Sequence, residues 1–341
     1  MRHRLTARIF TFVSLLLMAF VVGCGSDIQN IVFVSEVDGD AEIYVVDPES
    51  GVAESITDNR SQDTDPVWSP DGEQILYVSD SSGDLEISLF DRKSEHGSRL
   101  TNIPGDDHSP RWSPDGEDLA FISNQDGNDE FYLLSADGGR PIRITDKTPD
   151  DSVGDWSPDG EWLAFSRVGE VEEKGLWLRN PDGVNLVHLT EGDDYNPNWS
   201  PDGKHIVFVR QTGPTDGGLD IFLASRLKDG TWQDNAELTR LTKHEANNDS
   251  PVWSPDGNTI AFVSYRDGNA EIYTMEEDGS NPLRLTTNEA DDLEPVWSPG
   301  GDHLAFVSHL YGPGEIFMMD NEGGNQRRLT TNDAEDYSPD W

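Results

Sequence analysis

One residue sets the frame of this chain. Trp68, Trp112, Trp156, Trp199, Trp253, Trp297 and Trp341 recur at spacings of 44, 44, 43, 54, 44 and 44 residues. Self-similarity at such a period marks a fold built from stacked supersecondary units. Five of the tryptophans open the phrase Trp-Ser-Pro-Asp-Gly, as at 68–72 and 253–257, and at 297–301 the phrase becomes Trp-Ser-Pro-Gly-Gly. An apolar, β-rich run follows each: Ile75–Ser79, Leu119–Ser123, Leu163–Arg167, Ile206–Arg210, Ile260–Ser264 and Leu304–Ser308. A third phrase pairs an acid with an aliphatic or aromatic residue, as in Glu86-Ile87, Glu130-Phe131, Asp220-Ile221, Glu271-Ile272 and Glu315-Ile316. The fourth is Leu-Thr or Ile-Thr, at 100–101, 144–145, 189–190, 241–242, 285–286 and 329–330.

Each repeat therefore predicts four short strands. Pro-Asp-Gly after each tryptophan reads as the first turn, and Asp-Gly pairs such as 126–127 and 267–268 as later ones, because glycine tolerates the positive φ of tight hairpins. Four antiparallel strands per 40–50 residues is the pattern of a propeller blade. Residues 31–57 hold the second, third and fourth phrases with no tryptophan strand before them, and the chain closes on Tyr337-Ser338-Pro339-Asp340-Trp341. The surplus at one end matches the deficit at the other. The fold class expected is an all-β, seven-bladed propeller of four-stranded antiparallel blades over residues 31–341, closed by the C-terminal strand pairing with the N-terminal blade.

Two blades depart from the repeat. Blade five carries extra residues near Gln211–Gly218 and Lys228–Thr239, and blade four has Gly175-Leu176-Trp177 where the acid is expected. The combined phrases Asp-x-x-Pro-x-Trp-Ser-Pro-Asp-Gly, Ile-Ala-Phe-x-Ser, Glu-Ile-Tyr and Arg-Leu-Thr resemble the TolB-like, or WD40-like, propeller repeat across residues 28–341. The resemblance implies that the tryptophan strand is innermost, lining a central channel. It carries the fold and not the role of TolB in the Tol–Pal system, since that protein has an added α/β domain and six blades.

The chain opens with Arg2, Arg4 and Arg8, then an apolar run from Ile9 to Val22. A basic start and a short apolar stretch describe a secretory signal, too short to span a bilayer. Val21-Val22-Gly23-Cys24 resembles the bacterial lipobox, so residues 1–23 are expected to be removed. Cys24, the single cysteine, is then the lipidation site, and 24–30 a linker. With no second cysteine there is no disulfide framework. Gly25, where an inner-membrane signal favours Asp, leans towards the outer membrane.

The formal net charge is −42. That balance excludes phosphate-backbone binding, which needs basic patches. It fits cation binding, a basic protein or peptide partner, or a high-salt habitat.

The most suggestive constellation lies three residues before each proline, or before Gly154 in blade four: Asp63, Asp107, Asp151, Asp194, Asn248, Asp292 and Asp336. One residue earlier stand Gln62, Asp106, Asp150, Asp193, Asn247, Asp291 and Glu335. If the inner strands line a channel, both sets are expected at one mouth, where crowded carboxylates would favour a hard cation with oxygen ligands, calcium above magnesium. The competing expectation is an Asx-type turn, each carboxylate bonding backbone N–H groups ahead of its proline.

A second set reads as structural: Glu86/Arg99, Glu130/Arg143, Asp220/Arg240, Glu271/Arg284 and Glu315/Arg328 are expected as cross-strand ion pairs. The recurrent Phe33, Tyr77, Phe121, Phe165, Phe208, Phe262 and Phe306 are expected between blades. Trp162, Trp232 and Tyr311 fall off the pattern and are the better aromatic binding candidates. No nucleophile elbow or phosphate-cradling loop is present, and His244-Glu245 lacks the second histidine of a zincin. The expected function is a non-enzymatic, lipid-anchored envelope scaffold, monomeric, that binds a protein or peptide at an acidic channel mouth. The alternative is a metal-dependent polysaccharide lyase or hydrolase in the same channel, with His108 and Asp107 as its local candidates.

Overall fold

The computed structural model describes residues 29–145, 150–168, 173–213 and 218–341. The expected leader, Cys24 and the first part of the linker lie outside them. The described residues form strands and no helix, arranged as seven four-stranded antiparallel sheets. In blades two to seven the inner strand runs into the tryptophan: Asp63–Trp68, Asp107–Trp112, Asp151–Trp156, Asp194–Trp199, Asn248–Trp253 and Asp292–Trp297. Blade one takes its inner strand, Asp336–Asp340, from the other end of the chain. That strand pairs with Ile31–Ser35 through Val34 opposite Tyr337 and Ser35 opposite Asp336. The ring closes as the repeat arithmetic requires.

Why these residues form these strands is visible in the register. In blade six, Thr259–Ser264 and Glu271–Glu276 pair residue for residue, from Thr259 opposite Glu276 to Ser264 opposite Glu271. Buried on both faces, such strands read as continuous apolar runs of β-branched and aromatic residues. The core accordingly lies in the seams. Leu76, Val78 and Ile87 of blade two pack on Trp112, Phe121 and Tyr132 of blade three, and equivalent clusters fill the other six seams. Phe33, Phe121, Phe165, Phe208, Phe262 and Phe306 are at most 1% exposed. Each such ring contributes about 1.5–3 kcal/mol of burial energy.

The inner strands carry a further regularity. Their pairing with the second strand slips between, for example, Thr64 and Val67, His108 and Arg111, and Leu293 and Val296. At the slip Asp65, Ser109, Asn196, Ser250, Glu294 and Ser338 adopt φ of 50–53°. A left-handed residue in a bulge costs roughly 1 kcal/mol or more without glycine, and a bulge re-aims a side chain. These six immediately precede the prolines, and four of them, Asp65, Ser109, Glu294 and Ser338, line the channel.

Candidate functional site: the seams and the central channel

The six candidate aspartates do not meet at a channel mouth. Each stands in the seam between its own blade and the preceding one, 0–5% exposed. Asp63 accepts a hydrogen bond from Asn59 at 2.6 Å, Asp292 from Asn288 at 2.6 Å and Asp336 from Asn332 at 2.9 and 3.1 Å. Asp151 and Asp194 take bidentate guanidinium bonds from Arg167 and Arg210, at 2.6–3.0 Å and 2.6 Å. Asn248 accepts from Ser264 at 2.8 Å. The partners are side chains within or across the seam, so the Asx-turn expectation is corrected as well. The physical reason is strand alternation: the first residue of each inner strand points away from the channel, into the seam.

The preceding residues also cross a seam. Gln62, Asp106, Asp150, Asn247 and Asp291 accept from the backbone N–H groups of Ala41, Leu85, Asp129, Leu219 and Ala270 at 2.8–3.3 Å. Asp193 bonds Lys174 Nζ at 2.6 Å. Among the described residues no three His, Cys, Asp or Glu side chains are gathered to hold a metal ion.

Each seam cluster also holds the threonine of the fourth phrase. Thr101 accepts from the N–H of Ile87 at 2.8 Å and donates to Glu86 at 2.7 Å, and Thr286 does the same with Ile272 and Glu271. Outside it, four of the five expected ion pairs form: Glu130–Arg143 at 2.9 Å, Asp220–Arg240 at 2.6 Å, Glu271–Arg284 at 2.5 Å, and Glu315–Arg328. Glu86–Arg99 does not. Arg99 lies across from Ser88, whereas the four bonded arginines lie across from Tyr132, Phe222, Tyr273 and Phe317. Arg99 is exposed.

The seam between blades two and three is thus left with two carboxylates and no cation. Ile103 stands where the other seams have Asn59, Asn288 and Asn332, four residues before the aspartate. Neither oxygen of Asp107 meets a donor in hydrogen-bonding geometry. Burial raises its pKa to about 7, and Glu86 adds to the rise, against the opposing pull of the nearby Ser123 and Thr101 hydroxyls. Burial likewise lifts Asp151 to about 6, with Arg167 pulling the other way. In blade four the seam solves the same problem by omission. Gly175 has φ 130°, and a Cβ there would stand 2.0 Å from the carbonyl oxygen of Thr190. His188 instead stacks flat on Trp177 at 4.0 Å.

The channel itself is walled by other residues. A cavity of about 870 Å³ is lined by the pre-proline Asp65, Ser109, Glu294 and Ser338 and by the residues just before the tryptophans, Val67, Arg111, Asp155, Asn198, Val252, Val296 and Asp340. Asp340 accepts from the Trp68 N–H at 2.7 Å and Asn198 from the Trp253 N–H at 3.0 Å, stitching neighbouring inner strands. Arg111 is the single cationic side chain in that lining. Burial raises the carboxyls of Asp155 and Asp340, while the Arg111 charge holds them down.

Carboxylates predominate at the strand-start end, with His309 4.0 Å from Glu335. The Tyr337 phenol is raised first by burial and then by Glu36, Asp65, Glu294 and Glu335 around it. Glu294 is itself raised, chiefly by burial, with the Ser338 N–H, at 2.8 Å, and His309 stabilising its charge and Glu335 and Asp65 repelling it. The sequence signal for these residues was the reverse of repetition: pre- and post-proline positions change from blade to blade where the rest of the phrase does not.

His108 and Asp107 are not brought together. Asp107 points into the seam, while half-buried His108 lies 3.1 Å from Ser109 Oγ and 3.9 Å from Asp129 Oδ1. Of the off-pattern aromatics, Tyr311 takes the position that Asp126 and Asp267 hold in blades three and six, with Arg328 4.7 Å from its ring. Trp162 and Trp232 meet in the seam of blades four and five.

The family model for the TolB beta propeller domain matches residues 24–101, 83–229, 184–290 and 233–341. The Tol-Pal system protein TolB of Thioalkalivibrio sulfidiphilus is 55% identical over 31 residues, 9% of this chain and 7% of that protein. TolB of Syntrophus aciditrophicus is 41% identical over 51 residues, 15% of this chain and 11% of that protein. The chain's matched segments are thus a small part of these curated relatives. Among solved structures, TolB from Acinetobacter baumannii superposes with a TM-score of 0.59 at 20% identity, over 92% of this chain and 66% of that one. An oligogalacturonate lyase in complex with manganese gives 0.70 at 18% identity, over 86% of each chain. At these identities the structures share a fold with the chain, and nothing about reaction or partner follows. The repeat phrases, the seven closed blades and the family match over residues 24–341 lead to one conclusion: the chain belongs to the TolB beta-propeller family.

Proposed function

We propose that this protein is a non-enzymatic binding scaffold of the cell envelope, lipid-anchored through Cys24, which takes a basic segment of a protein partner at the strand-start end of its channel. The observation that supports this most is the group of four carboxylates, Glu36, Asp65, Glu294 and Glu335, around the Tyr337 ring. Carboxylates gathered at one end, with Glu294 raised chiefly by burial, favour an incoming cation, and an aromatic ring beside them adds cation–π attraction of roughly 0.5–2 kcal/mol. A lysine or arginine side chain meets both. The calcium expectation fits less well, because among the described residues the carboxylates are not gathered into a metal cage. Envelope location and lipid anchoring extend the leader reading and the likeness to TolB proteins.

The test is calorimetric titration with a synthetic lysine- and arginine-rich peptide, at two salt concentrations. Saturable binding that weakens with salt and is lost in Asp65→Asn with Glu294→Gln supports the reading. Absence of binding, or binding indifferent to both substitutions, refutes it. Turnover of an acidic polysaccharide, abolished in His108→Ala, would favour the lyase reading instead.

A further inference from the structure

The 54-residue interval of blade five does more than lengthen a loop. After the third strand the inserted segment turns on itself, with Leu227 N–H bonded to Thr231 O at 2.9 Å and Gly230 N–H to Leu227 O at 2.8 Å. It then crosses to blade four. Asn235 and Ala236 donate to the carbonyls of His188 and Leu189 at 3.0 and 2.9 Å, and Asp234 accepts from the His188 N–H at 2.9 Å. The insertion delivers Trp232 into the blade-four seam, edge-on to Trp199 at 5.3 Å.

Between Trp232 and Trp162 a cavity of about 560 Å³ remains, sharing no lining residue with the channel. Small-molecule sites fall in the range of about 300–1,000 Å³, largely apolar with a few placed polar groups. Here the apolar wall is Trp162, Trp232, Leu186 and Val187, and the polar rim is Glu161, Asn185, Arg226 and Thr231. Arg226 lies 5.6 Å from the Trp232 ring and 3.6 Å from Asp159. Its Nε and the Trp232 Nε1 are buried donors without an acceptor, and Trp232 is 8% exposed. Buried donors left unpaired cost free energy until an acceptor arrives. Closing a seam hydrophobically requires neither the hollow nor a mixed polar rim.

We propose that this cavity is a binding site for a neutral saccharide. Indole rings match the apolar face of a sugar ring, and sugar hydroxyls both donate and accept. The rim offers both: Glu161 accepts, Arg226 donates, and Asn185 and Thr231 do either. An anionic ligand would meet Glu161 and Asp159 on a chain of net charge −42. A wholly apolar ligand would strip water from four polar rim residues without replacing it.

The experiment is titration of the purified protein with chitotetraose and cellotetraose, read by tryptophan fluorescence and calorimetry, with tetragalacturonate as the anionic comparison. Saturable binding of a neutral tetrasaccharide is expected, weakened about tenfold, or roughly 1.4 kcal/mol, in Trp162→Ala and in Glu161→Gln. Glu161 is exposed, so its variant keeps the readout interpretable if loss of an indole disturbs folding. Failure of both neutral probes to bind, binding confined to tetragalacturonate, or binding unchanged in both variants would overturn the proposal.

Discussion

Replacing Asp107 by asparagine should stabilise this protein above neutral pH, although it removes a buried polar group that recurs in the fold. The carboxyl is 0% exposed, lacks a bonded donor, and has its pKa raised to about 7 from an ordinary value of 3.8. The folded state therefore holds this proton more tightly than the unfolded chain. Stability from the group is fully present below the unfolded value and declines as pH rises from about 4 to about 7. It is flat beyond that window. A shift of about three pK units corresponds to an upper limit of about 4 kcal/mol at 1.36 kcal/mol per unit. Relaxation of the site around the charge lowers this limit, and roughly 2 kcal/mol is the working figure. Asparagine carries no charge at any pH, so at pH 8 the variant escapes this penalty. In a chain of this size about 2 kcal/mol raises Tm by roughly 4 °C. At pH 5 the folded carboxyl is neutral but the unfolded one is already ionised, so about a third of the penalty remains and the Tm difference should shrink to roughly 1–2 °C. Scanning calorimetry of both proteins from pH 5 to pH 9 reads the difference directly. A Tm difference that does not change with pH, or a variant less stable at pH 8, would refute the reasoning.

Other seams predict the opposite sign. Asp151→Ala leaves Arg167, whose side chain is 2% exposed, buried without its partner, and denaturant melts should show a loss of about 3–5 kcal/mol. Phe262→Ala empties a fully buried seam position and should cost about 3–5 kcal/mol in the same assay. Arg99→Ala should change stability by no more than about 0.5 kcal/mol, while Arg284→Ala strands the buried Glu271 and should cost about 1–3 kcal/mol. Arg111→Ala removes the one cation from the channel lining, and affinity for a basic peptide should rise about threefold to tenfold by calorimetry, an electrostatic gain of roughly 1 kcal/mol.

The leader aside, the fold was legible because its determinants are local. A Pro-Asp-Gly turn after each tryptophan, an apolar run and a second glycine turn specify a hairpin within a single repeat. Counting the repeats with their unequal ends then specifies seven blades and the pairing of Ser35 with Asp336. The Arg143, Arg240, Arg284 and Arg328 pairs were legible for the same reason, since third and fourth strands are hairpin neighbours. The chemistry of the aspartates was not. Asp63 and Asp107 sit beside groups supplied by the preceding blade, and Asp151 takes its bond from its own second strand. Periodicity identifies which positions are equivalent and says nothing of the direction in which they point.

Three features depended wholly on tertiary structure. The bulge at Asp65, Ser109 and Glu294 exchanges seam-facing for channel-facing residues, because one extra residue in a strand reverses the alternation beyond it. The missing Glu86–Arg99 bond is visible only in the folded chain, since Arg99 holds the same register as the bonded Arg143. Trp162 and Trp232, 70 residues apart in the chain, meet only because the blade-five insertion is hydrogen-bonded to the edge of blade four. Sequence determined the repeat and therefore the ring, since hairpins and hydrophobic strands are short-range physics. Which side chains face one another across a seam is decided by stacking, and stacking is long-range.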